Sequence, residues 1–71
     1  MRVDTAEHAA QFVASWRADA SPGRARRAIA SAIDGLSTAL AIELSYPRRY
    51  DPQPTRDALA VLHAALVEVA P

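Results

Sequence analysis

SPGRARRAIASAIDGLSTALAIELSY, residues 21–46, is the stretch whose reading decides the fold. Ser21 offers a capping hydroxyl, and Pro22 fits the first helical position, where no N–H is needed. Beyond them Ala25, Ile29, Ala32, Ile33, Leu36, Leu40 and Leu44 recur at three- and four-residue steps. At about 100° per residue this gathers them on one face of a helix. Arg27, Ser31, Asp34, Thr38 and Ser45 fall on the opposite face. Pro47 turns Tyr46 away from helical conformation, and Pro52 and Pro54 follow. The stretch predicts one long helix over residues 21–46, with flanking segments cut to cover its apolar stripe.

Two residues interrupt the pattern. Gly35 in mid-helix costs about 1 kcal/mol relative to alanine. Ile42 stands on the otherwise polar face, near Gly35 and Thr38. The plain account is a tolerated glycine and one exposed isoleucine, which is ordinary on a protein surface. The functional account is that Ser31, Gly35, Thr38 and Ile42 form a shallow strip against which another helix packs closely. A different division of the stretch places a turn at Asp34-Gly35-Leu36-Ser37, with Ser37 capping a new helix. Residues 24–46 then become a helix-turn-helix of the DNA-reading kind. That unit needs an apolar residue before its glycine, and Asp34 stands there. The apolar phase also continues through Gly35, so a single helix is the stronger reading.

Working outward, Asp4 and Glu7 have capping-box spacing, and a first helix is expected over residues 4–18. Ala9, Phe12, Val13, Trp16 and Ala20 share its face, with Phe12 and Trp16 as the expected anchors. The link at residues 19–23 is short, which makes the first two helices antiparallel neighbours. On the other side, Tyr46 to Pro54 is a proline-stiffened loop in which Tyr46 and Tyr50 bracket Arg48 and Arg49. Asp51-Pro52 then signals a third helix over residues 52–69. Its stripe is Leu59, Leu62, Leu66 and Val69, flanked by Thr55, Ala58 and His63. The expected architecture is all-α: one domain over residues 1–71, a small up-down-up three-helix bundle with a long central helix. At 1.5 Å per residue that helix reaches nearly ~40 Å against roughly 25 Å for its neighbours. Part of its stripe should therefore lie uncovered.

Seventy-one residues bound the core to a thin one. There is no cysteine, so neither a disulfide nor a thiolate–zinc staple supports it. Seventeen alanines let helices approach closely while each contributes little burial. All eight basic residues are arginine, which with the alanine content reads as a high-GC bacterial coding bias. Formal net charge is zero, and this counts against a dedicated nucleic-acid binder. Residues 1–7 lack a signal peptide's apolar segment, and no continuous apolar run approaches a membrane span. A soluble, cytoplasmic protein without membrane contact is expected.

Candidate chemistry is sparse. Glu43 falls near the end of the apolar stripe, where His8 and Arg56 are possible neighbours, and a carboxylate beside an imidazole is a potential acid–base pair. Rim pairing of Glu43 with an arginine is the simpler expectation, because no second acid, nucleophile or oxyanion element accompanies it. His8 and His63 stand some ~15 Å apart along the bundle by helix rise, so no shared metal is expected. Arg24, Arg26 and Arg27 gather near Arg17 at one pole; Arg48, Arg49 and Arg56 gather near two tyrosines at the other. Arginine with tyrosine grips phosphate and bases, but two poles do not make one groove, and ordinary solvated charge explains both groups. No glycine-rich phosphate loop is present. No enzyme activity and no cofactor are expected. The sequence points to a helical protein–protein interaction module, either a small homodimer or a docking or adaptor piece of a larger assembly. Its contact is expected at Ser31, Gly35, Thr38 and Ile42 with Tyr46, Arg48, Arg49 and Tyr50. The alternative is a small DNA-binding regulator of helix-turn-helix type.

Overall fold

The computed structural model describes residues 3–18 and 21–69. It contains three helices: α1 (Ala6–Arg17), α2 (Pro22–Ser45) and α3 (Gln53–Val69). Among the described residues there is no strand. Two side-chain pairs fix the up-down-up order. The Arg17 guanidinium meets the Glu68 carboxylate where α1 and α3 both end. The Thr55 hydroxyl, in the first turn of α3, donates to Glu43 near the end of α2 at 2.6 Å. The expected all-α three-helix bundle is thus the observed fold, with helix ends within two residues of those read from the sequence.

α2 is a single element through Gly35, and no described residue has positive φ. The turn at Asp34–Ser37 does not occur. Ile29, Ile33 and Leu36 are buried in one phase across that point, and a break would throw one side of it out of the core. Pro22 occupies the start of the helix after an extended Ser21. Ser21 supplies that backbone geometry and not a side-chain cap.

The packing corrects the expectation in three places. First, α3 is the helix on which the others lean. α2 packs against both neighbours, extensively against α3 and only slightly against α1. The reason is steric: Ala58 and Ala65 on α3, with Ala9 on α1, belong to one buried cluster and allow close approach. Second, α1 is anchored by buried Ala9 and Val13, with Phe12 packed at the margin. Trp16 is only half-buried and sits edge-to-face on Phe12, ring centroids 6.5 Å apart. Third, the cap of α1 is Thr5, whose Oγ1 accepts from the His8 backbone N–H at 3.1 Å. Asp4 instead holds the His8 Nδ1 at 2.9 Å. Asp19 and Ala20, read as part of the first link and of the α1 stripe, lie outside the described residues.

The core is thin. Among the described residues four of the ten buried apolar ones are alanine, and Ile29 and Leu62 are the large side chains wholly enclosed. The molecule measures 43 × 18 × 18 Å, and its radius of gyration of 12.5 Å exceeds the ~11 Å of a compact chain this long. It exposes 4823 Å², where about 4300 Å² is usual for a monomer of 7.6 kDa. α2 is also long and apolar enough to cross a membrane by length and composition. No unbroken apolar run marks it in the sequence, because serine, threonine and glycine interrupt the run without adding charge. Asp34 and Glu43 are the only charged residues between 28 and 45. Mostly buried core helices and signal sequences meet the same criterion.

Candidate interaction surface

One face of α2 is open along its length. Ser31, Gly35, Thr38 and Ile42 are all exposed, and each follows the last by three or four residues, so they form a single strip. No atom lies within 4 Å of where a side chain on Gly35 would begin. Two hydroxyls along this side are already engaged by the helix itself. Thr38 Oγ1 donates to the Asp34 carbonyl at 3.2 Å, and Ser45 Oγ donates to the Ala41 carbonyl at 2.9 Å. With these hydroxyls turned back onto the backbone, the strip presents mostly carbon to solvent.

The strip runs into a more apolar end. Ile42 is 50% exposed, Leu44 48%, Tyr46 57% and Tyr50 42%. Val67 is the remaining large exposed hydrophobe among the described residues, so four of five fall between positions 42 and 50. Leu44 continues the phase of the buried stripe, yet lies open. α1 has only 12 residues and is aligned with the far end of α3 by the Arg17–Glu68 pair, so it does not reach that level. The uncovered stripe expected from the mismatch in helix length is therefore present at its last residue.

Tyr46 to Tyr50 closes on itself as one turn. The Arg49 and Tyr50 backbone N–H groups both donate to the Tyr46 carbonyl, at 3.0 and 3.2 Å. Tyr46 N–H in turn donates to the Glu43 carbonyl at 3.2 Å. Ser45, Tyr46, Pro47, Arg48 and Arg49 line an open, almost wholly apolar hollow of about 310 Å³. All eight residues expected at the contact are exposed. The four of the helix strip and the four of the loop adjoin at Ile42 and Tyr46, one helical turn apart.

The acid–base pairing considered for Glu43 is not assembled. Glu43 is half-buried and its recorded partner is Thr55, which is 5% exposed; His8 turns to Asp4. The bond to Thr55 joins α2 to α3 and makes Glu43 part of the hairpin. Periodicity places Thr55 at the flank of the α3 stripe, one turn before Ala58 and Leu59, and it is buried there. Among the described residues no three His, Cys, Asp or Glu side chains come together in a metal-holding group. No buried side-chain nitrogen or oxygen lacks a partner there either. Comparison with models of known families, with curated proteins and with solved structures finds no match to this chain.

Proposed function

We propose that the chain is a helical protein–protein interaction module without enzymatic activity, binding through the open face of α2 and the Tyr46–Tyr50 turn. One observation carries this reading: Ile42, Leu44, Tyr46 and Tyr50 crowd four exposed large apolar side chains into nine residues of a thin, elongated bundle. Stable protein contacts are built around such residues, with tyrosine and arginine enriched at their centres. Arg48 and Arg49 stand beside them, so the patch combines apolar anchors with donors for a partner's carboxylates or carbonyls.

The test is association measured on the wild-type chain and on Ile42→Glu. Self-association is followed by light scattering across concentration, and foreign partners by retention from a lysate of the source cells. Ile42 is exposed, so the variant keeps its helix signal in circular dichroism. The expected result is loss of association with the fold intact. A wild-type chain that stays monomeric and retains nothing, or a variant that associates like the wild type, removes the reading.

A further inference from the structure

Resting on that reading, we infer that the Tyr46–Tyr50 turn binds an acidic segment of another protein, one that carries a large apolar side chain beside its carboxylates. The walls of the hollow are the first ground. Ser45, Tyr46, Pro47, Arg48 and Arg49 enclose about 310 Å³ of almost wholly apolar space, at the lower end of the ~300–1,000 Å³ in which clefts bury a bound group. Arg48 and Arg49 are exposed, and among the described residues neither guanidinium has an ion pair or a side-chain hydrogen bond. The acids nearest in sequence are engaged by the fold. Asp51 Oδ1 accepts the Gln53 backbone N–H at 3.0 Å, and Asp57 Oδ1 accepts from Gln53 Nε2 at 2.8 Å. Glu43 is held by Thr55. The turn thus offers a carbon-lined hollow with two unanswered positive charges beside it. A ligand that is apolar and anionic at adjacent positions answers both, since a guanidinium takes a carboxylate through two parallel N–H donors.

The second ground is that this turn is set before any ligand arrives. Pro47 fixes one backbone dihedral, and the Tyr46 carbonyl takes the N–H groups of Arg49 and Tyr50. Little backbone freedom remains to be lost on binding. An anionic membrane would also attract these arginines, but the charge around them favours a peptide. A bilayer meets the whole pole, where Glu43, Asp51 and Asp57 offset Arg48, Arg49 and Arg56. A peptide meets the turn alone, and from Tyr46 to Tyr50 the turn contains two arginines and no acid. A concave hollow also suits a single projecting side chain better than a flat lipid surface.

The test is selection of a phage-displayed library of random short peptides on the full chain. The selected peptides are then synthesised with a fluorescent label and titrated by anisotropy. They should share acidic residues flanking a large apolar one. The double variant Arg48→Glu/Arg49→Glu should bind them at least about tenfold more weakly, because like charges then face each other. Added salt should weaken binding to the wild type. Both positions are exposed and lie outside the helices, so circular dichroism should show the variant folded. Selected peptides without acids, or peptides that bind the double variant as well as the wild type, overturn the inference. They leave the broader reading in place, since a peptide still binds. No selected peptide also overturns it. Vesicles of phosphatidylglycerol and phosphatidylcholine then decide whether the arginines serve a lipid surface: binding that the double variant loses assigns them to a membrane. Without peptide or vesicle binding the arginines are ordinary solvated charge, and the broader reading rests on the Ile42→Glu comparison alone.

Discussion

The two halves of α2 have the same helical repeat and opposite surroundings. In the first half Ala25, Ile29 and Ile33 are buried, as is Leu36 just past the midpoint. In the second half the stripe fades through half-buried Leu40 to Leu44, 48% exposed, while Ile42 and Tyr46 stand open on the other side. Nothing in the local sequence distinguishes the halves, since both carry aliphatic residues at three- and four-residue steps. What differs is the length of the neighbours. A helix becomes core where other helices reach it and contact surface where they stop.

The largest effect that would test this division comes from truncating the same residue type on either side of it. Leu62 is wholly enclosed in α3, and Leu62→Ala should destabilise by about 2–5 kcal/mol. A single core of this size supplies little more than ~3–5 kcal/mol in all, so the variant should be largely unfolded at 25 °C by circular dichroism and urea titration. Leu44→Ala should stay within about 0.5 kcal/mol of the wild type in the same titration. Comparable losses at both positions would mean that Leu44 is covered in the folded monomer.

A smaller effect is expected near the end of α2, where it is tied to α3. Thr55→Val removes the hydroxyl that holds the half-buried Glu43 and keeps the side-chain volume. Hydrogen bonds to charged groups contribute about 1.5–3 kcal/mol, and a loss in that range should appear as a lower urea midpoint. Glu43→Gln keeps an acceptor for the same hydroxyl and should lose less. If Thr55→Val is neutral, the α2–α3 hairpin is set by apolar packing alone.

The helices and their order were legible in residues 21–46 and in the proline punctuation after them, because helical periodicity and stop signals are local. The exposure of the eight residues proposed as a contact surface was legible too: four stand on the polar face of α2 and four in a proline-stiffened loop, and both positions face solvent for local reasons. The identity of the shared helix was not legible. It depends on alanines at 9, 58 and 65 meeting across two helices, and alanine has no pattern that marks it as a contact. Trp16 was misplaced as well. Its position on the α1 stripe matched a core residue, but the ring lies half-buried, edge-on against Phe12. The Glu43–Thr55 bond needed the register of the hairpin, which the length of the loop alone does not set.

The smallest effect concerns Gly35, which lies between the halves and belongs to the open face of both. A Cβ there would meet nothing within 4 Å, so Gly35→Ala should gain about 1 kcal/mol from helix propensity alone. For a domain of this length that raises the melting temperature by roughly 4–8 °C, measured in dilute solution where the chain is monomeric. On the proposed contact face the same methyl group holds a partner helix further from the α2 axis. Association of the variant should therefore be weaker than that of the wild type, even as its fold melts later. Stability and association moving in opposite directions is what separates a glycine kept for a contact from one merely tolerated in a helix. A variant that melts later with its association unchanged would move the contact away from Gly35. The contact would then belong to the exposed end of α2, where Ile42 and Tyr46 alone supply the anchors.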